Sequence, residues 1–265
     1  NAPRPTRRSI RVSCAWRATC TNSRGLALME RRVGRGAFMN AVTELSLADG
    51  AQLNYVDINA ETAPSQSVAR VSANVGRDAR LSAYSLTLGG ALNRIDTHVE
   101  LAEPGASVSL GGTFLAASGE HVDHHTAIHH AAGHTHSVED YRGIIGRAGR
   151  GVFNGKVIVG VDSQKITSAQ SNDNLLLDDS ARIDTKPELQ IYADDVACSH
   201  GATVGRLDEQ ALFYLRSRGL DQRTARRVLM DAFGRKPLAL APEALRDALG
   251  EHLNHALQRL TEDNA

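Results

Sequence analysis

From Val42 onward one short phrase recurs, an alternating apolar run closed by a tight polar turn. Leu47-Ala-Asp-Gly-Ala-Gln-Leu53, Val75-Gly-Arg-Asp-Ala-Arg-Leu81 and Leu101-Ala-Glu-Pro-Gly-Ala-Ser-Val108 share this shape and fall about every 27 residues. Alternation of apolar and polar residues is the period of a β-strand, and almost no 3.6-residue period interrupts it between residues 41 and 200. Many turn-plus-strand units in series predict a coiled stack of strands: a mainly β chain folded as a right-handed parallel β-helix, or β-solenoid. No rung is stable alone, because its apolar face is buried only against its neighbours. An antiparallel sandwich fits the same alternation. Hairpin dipeptides are scarce, however, with Asn154-Gly155 the main one, and this favours the solenoid.

The solenoid text is clearest between residues 141 and 200, in Gly151-Val-Phe-Asn-Gly-Lys-Val-Ile-Val159 and Glu188-Leu-Gln-Ile-Tyr192. Gln170, Asn172 and Asn174 alternate and are expected to stack as amide ladders inside the rungs or at their corners. Aromatic residues make up only 4 % of the chain, which suits stacked strands better than an aromatic-lined pocket. The glycines of 143–151 and Gly89-Gly90 lack the spacing and following helix of a phosphate loop.

The β-helix is thus expected over residues 41–205, with different texture on either side. Residues 1–40 carry arginine at positions 4, 7, 8, 11, 17, 24, 31, 32 and 35 without a regular apolar period, and read as a disordered N-terminal segment. Residues 206–265 switch to helical spacing and predict a small C-terminal helical domain. Asp208 caps a first helix ending at Gly219, Asp221 caps a second closed by Gly234, and Pro242 starts a third striped by Leu245, Leu249, Leu253, Leu257 and Leu260. Such a tail either caps the open end of a solenoid or docks another protein.

Lysine plus arginine balances aspartate plus glutamate, 30 against 30, so no global field draws the chain to nucleic acid or to a membrane surface. No apolar run reaches the roughly 18 to 20 residues of a membrane-spanning helix. The three cysteines, Cys14, Cys20 and Cys198, are too few for a disulfide framework and suit a reducing, cytoplasmic setting.

Two places carry chemistry. Seven histidines fall between His121 and His136. As a helix, His121, His125 and His129 would share a face fit for a metal; as strands, His125 and His129 face one way and His124 and His130 the other. Strands are preferred, because Val122, Thr126 and Ile128 alternate in an extended context. A solvent-facing or interfacial histidine ladder, a metal face and an acid-base site all remain open from these residues alone. The second place is Cys198-Ser-His200, where an extended run ends. On a strand, side chains two apart share a face, so Cys198 and His200 project together as half of a metal site. The alternative is a structural cysteine beside a turn histidine.

Asn172-Asp-Asn-Leu-Leu-Leu177, then Asp184-Thr-Lys-Pro-Glu-Leu-Gln-Ile-Tyr-Ala-Asp-Asp-Val-Ala-Cys-Ser-His-Gly-Ala-Thr-Val-Gly205, then Leu207-Asp-Glu-Gln-Ala-Leu-Phe-Tyr-Leu-Arg-Ser-Arg-Gly219 closely resemble the SufB/SufD family of iron-sulfur cluster assembly proteins. Gly151-Val-Phe-Asn-Gly-Lys and His121-Val-Asp-His-His-Thr extend the likeness, and residues 1–40 depart from it. Ser-His-Gly in place of Glu-His-Glu around the histidine is similar to the SufD branch. The resemblance implies a right-handed parallel β-helix and a scaffold with no catalytic residues of its own. It implies pairing with a SufB-like subunit through the β-helix, and binding of a SufC-like ABC ATPase through the C-terminal helices. It places Cys198 and His200 at positions implicated in a transient iron-sulfur cluster shared with the partner. FADH2 is associated with the wider complex of the family, while no stretch of this chain reads as a flavin site. Rival functions are a stand-alone β-helix enzyme, a lyase or acyltransferase using the histidines, and a histidine-rich metal-binding protein.

Overall fold

A computed structural model describes residues 11–21, 24–31, 36–60 and 64–263. Among them, fourteen strands form two parallel sheets of seven. One sheet runs through β1 (Arg11–Cys20), β3 (Phe38–Leu47), β5 (Gln66–Val75), β7 (Leu92–Leu101), β9 (His121–His130), β11 (Arg150–Val159) and β13 (Arg182–Ile191). The other runs through β2 (Arg24–Arg31), β4 (Gln52–Asn59), β6 (Arg80–Leu88), β8 (Ser107–Ala116), β10 (His136–Ile145), β12 (Ile166–Leu176) and β14 (Val196–Gly205). Successive strands alternate between the sheets, so each pair is one rung of a parallel β-solenoid, as the turn repeat predicts.

The repeated turn has a physical origin. Gly50, Asp78, Gly105, His134 and Lys165 all adopt positive φ, between 54° and 78°, at the same corner of successive rungs. Their amides form a backbone column, including Gly50 N–H to Arg77 O, Asp78 N–H to Pro104 O, Gly105 N–H to His134 O and His134 N–H to Gln164 O. Left-handed backbone favours glycine, aspartate and asparagine, hence the Asp-Gly, Arg-Asp and Pro-Gly turns of the sequence. At Gly105 a Cβ would lie 1.9 Å from the Asp78 carboxylate, which would have to move to admit it.

Inward positions build the core. Leu45, Leu101, Leu110, Phe114, Ile128, Phe153 and Val157 are all buried in one cluster. Full burial of each is worth about 1.5–3 kcal/mol. Large residues stack over small ones: Tyr141 sits in register with Gly112, and Phe114 with Gly143. Residues 11–31, expected to be disordered, instead form β1 and β2, which pair in register with β3 and β4. Their arginines belong to a strand alternation: Arg17 faces outward to an ion pair with Glu44, while Trp16, Ala18 and Cys20 pack against the core. The rest of that segment, residues 1–10, 22–23 and 32–35, lies outside the described residues, as do residues 264–265.

After β14 the chain forms α1 (Glu209–Ser217), α2 (Gln222–Gly234), a short 3-10 turn at Lys236–Leu240 and α3 (Glu243–Asp263). Asp208 accepts hydrogen bonds from the amides of Gln210 and Ala211, and Asp221 from that of Thr224, so both predicted caps are present. The tail does not cover the last rung. Leu249, Leu253, Leu257 and Leu260 instead join Val56, Ile58, Leu86, Leu115 and Ile144 in a second core on the outer flank of the even-numbered sheet. Outward valines, isoleucines and leucines on those strands make that flank the place where the helices gain most by burial.

Candidate metal centre

Both sheets end at the last rung, on β13 and β14. On β14, Cys198 lies in register with Ser168 and His200 with Gln170. Ser168 and Gln170 are buried inward residues of β12, so Cys198 and His200 occupy the same inward columns one rung further out. Cys198 is half-buried against the core and His200 is exposed. The structure thus puts the two predicted residues on one face at the open end of the solenoid. Asp194 and Asp195 are exposed at the preceding turn. Ile191, Tyr192 and Val204, all exposed, give the same end an apolar margin.

Burial pushes the Cys198 thiol up, and a backbone hydrogen bond from Ser168 opposes that shift. Beneath the pair the interior turns polar. Ser168 Oγ lies 2.8 Å from Ser137 Oγ, Ser137 Oγ 2.9 Å from His130 Nε2, and His130 Nδ1 2.7 Å from Thr135 Oγ1. In the neighbouring column, Gln170 Nε2 donates to Glu139 Oε2 at 2.6 Å. Burial drives the Glu139 carboxyl up to about 7, against the hydrogen bonds of Thr126 and Gln170. Gln170, Asn172 and Asn174 all point inward, but they do not stack as ladders. Asn174 Nδ2 donates to Asn172 Oδ1 of its own strand at 2.6 Å, and Asn172 Nδ2 donates to the Tyr141 carbonyl at 3.1 Å.

The histidine run divides as the strand reading predicts. His124 is sealed inside between the rings of Phe114 and Tyr141, with Nε2 3.1 Å from Thr87 Oγ1. Burial holds it down to about 3, and His130 down to about 4. His125 faces outward onto Asp123, at 2.9 Å, and His134 forms the left-handed corner described above. Among the described residues, no group of three or more His, Cys, Asp or Glu side chains converges to hold a metal ion. The metal-face reading of this run therefore lacks its geometry among the described residues, and buried His124 has no access to a substrate.

Ser168, Gln170 and Glu139 were not assigned to the site from sequence. The signal for them is rung length: partners on adjacent rungs lie 26 to 32 residues apart, and counting back one rung of 30 from Cys198 and His200 reaches Ser168 and Gln170.

Fold and site together define a parallel β-solenoid protein with an incomplete thiol-imidazole pair at its exposed end and a helical tail on its flank. The chain belongs to the SufBD family: residues 20–233 match the family model described as SUF system FeS cluster assembly, SufBD core domain. It is 36 % identical over 210 residues to the iron-sulfur cluster assembly protein SufD of Escherichia coli, covering 79 % of this chain and 49 % of that protein. Identity is 35 % over 209 residues to an iron-sulfur cluster assembly SufBD family protein of Synechocystis, covering 78 % and 46 %. With the chloroplastic protein ABCI7 of Arabidopsis thaliana it is 29 % over 240 residues, covering 88 % and 50 %. The chain spans about half the length of the curated relatives it matches. Among the described residues, no helix is long and apolar enough to cross a membrane.

Proposed function

We propose that this chain is a scaffold subunit for iron-sulfur cluster assembly, with Cys198 and His200 as its ligands to a transient cluster. The observation that carries this reading is the register of β14. A soft thiol and an imidazole share one face of the uncovered last rung, with too few neighbouring ligands among the described residues to complete a tetrahedral iron site. The remaining ligands then come from a second protein. A SufB-like subunit that seats on this rung would bury the free strand edges together with Ile191, Tyr192 and Val204. The cluster is cargo, built at the boundary and passed on.

The helical tail suits a second contact. Phe213 is 73 % exposed and Tyr214 57 %, adjacent on α1, while the tail's buried leucines pack against one another and against the solenoid. In this reading they dock a SufC-like ABC ATPase, and the tail's packing on the even-numbered sheet carries the ATPase motion into the rungs. The chain itself turns over no substrate and works in a reducing, cytoplasmic compartment. Co-expression tests the assembly: a SufB-like subunit and an ABC ATPase should co-purify with this chain. Purification of the folded chain alone, with turnover of its own on a carbohydrate or acyl substrate, would overturn the proposal.

A further inference from the structure

Gln170 is 4 % exposed, and its Oε1 is a buried acceptor without a hydrogen-bond partner among the described residues. Its other amide atom is committed, since Nε2 donates to Glu139 Oε2. That bond holds the amide with Oε1 as the remaining atom. On the rung below, Gln170 is in register with Glu139; on its open side, its register partner is His200. His200 makes no side-chain hydrogen bond among the described residues. A buried carbonyl lacking a donor and an exposed imidazole lacking an acceptor thus occupy adjacent rungs of one column. Buried polar groups without partners are rare because leaving one unpaired forfeits its hydration.

We propose that Gln170 is a positioning residue for His200, its side-chain carbonyl accepting the N–H of one imidazole nitrogen so that the other keeps its lone pair for a metal. A ligand histidine is commonly fixed this way, its second nitrogen donating to a carbonyl or carboxylate. Glu139 acts one step further back by anchoring the amide. The inference deepens the ligand role proposed for His200 and rests on it, but its test does not. With the full chain labelled at histidine nitrogens and held at pH 8, the 15N shifts of His200 report which nitrogen carries the proton. The expected result is one dominant tautomer in the native chain. Gln170→Met, which keeps the length and removes the carbonyl, returns the ring to the tautomer ratio of free histidine; Gln170→Glu, which keeps an acceptor oxygen, retains the bias. In the reconstituted complex, Gln170→Met should lower metal affinity roughly 10- to 100-fold. A native His200 with the free-histidine ratio, or a bias unchanged by Gln170→Met, overturns the proposal, and the native measurement decides it even if a variant fails to fold. The tautomer measurement needs no iron. Undiminished cluster loading by His200→Ala would therefore sink the ligand role, while the positioning claim is still decided by the shifts.

Discussion

Cys198 stands in register with Ser168 on one inward column of the solenoid, and Ser168 Oγ is 2.8 Å from Ser137 Oγ on the rung beneath. The thiol therefore caps a row of polar side chains, half-buried and raised in pKa. Alkylation of Cys198 by iodoacetamide, followed by mass spectrometry across pH, should show a midpoint above the roughly 8.5 of a free cysteine. Buried Cys20 should stay unmodified in the folded chain. A Cys198 midpoint below that of a free cysteine would mean an activated thiolate, contrary to this environment.

The polar interior also sets a stability window. Glu139 ionises at about 7 in the folded chain against an ordinary value of 4.5. An acid so raised binds more protons folded than unfolded, so stability is lost as pH climbs from about 4.5 to about 7. His124 and His130 act on the acid side: they stay neutral when folded, at about 3 and about 4, so stability is lost as pH drops from 6.5 toward those values. Glu139→Gln should relieve the first loss, by about 1–3 kcal/mol. Its melting temperature relative to the native chain should rise between pH 5 and pH 8. An unchanged difference would place Glu139 in contact with solvent.

Packing of large over small gives a sharper structural test. A Cβ at Gly112 would lie 2.2 Å from Tyr141 Cε1, in the middle of the stack. Gly112→Ala should cost about 1–3 kcal/mol through overpacking, read from denaturant unfolding. Gly201→Ala, at a last-rung position with nothing within 4 Å of the added Cβ, should change stability little. Equal effects at the two sites would contradict the stacking.

The solenoid was legible because its corners demand left-handed residues and its strands alternate, and both leave marks within a few residues. β1 and β2 were not, since Arg17 and Arg24 hide a weak alternation whose partners lie in β3 and β4. The division of His124 and His130 from His125 and His129 followed from strand alternation. The burial of His124 did not, because Thr87, which meets it, comes from another rung, whereas His130 is met by Thr135 and Ser137 a few residues further along the chain. Helical stripes revealed the tail, yet its seat depends on Val56, Leu86 and Ile144, whose outward direction shows only once the rungs are in register. Cys198 and His200 were visible as a pair; Gln170 beneath His200 required the rung length.

Exposed Phe213 and Tyr214 give the tail's docking role a direct test. Phe213→Asp should cut ATPase co-purification at least tenfold, as expected for a buried aromatic anchor. Its melting temperature should barely move, because the side chain is exposed in the isolated chain. Full retention of the ATPase would move the docking surface elsewhere.

Anaerobic reconstitution of the assembled complex with iron and sulfide is the most direct measurement, using native chain, Cys198→Ala and His200→Ala. Ligands on an uncovered rung predict that both variants assemble normally with their partners but lose most of the bound iron and the iron-sulfur absorbance. Cluster loading undiminished in both variants would remove the last rung of the solenoid from the site.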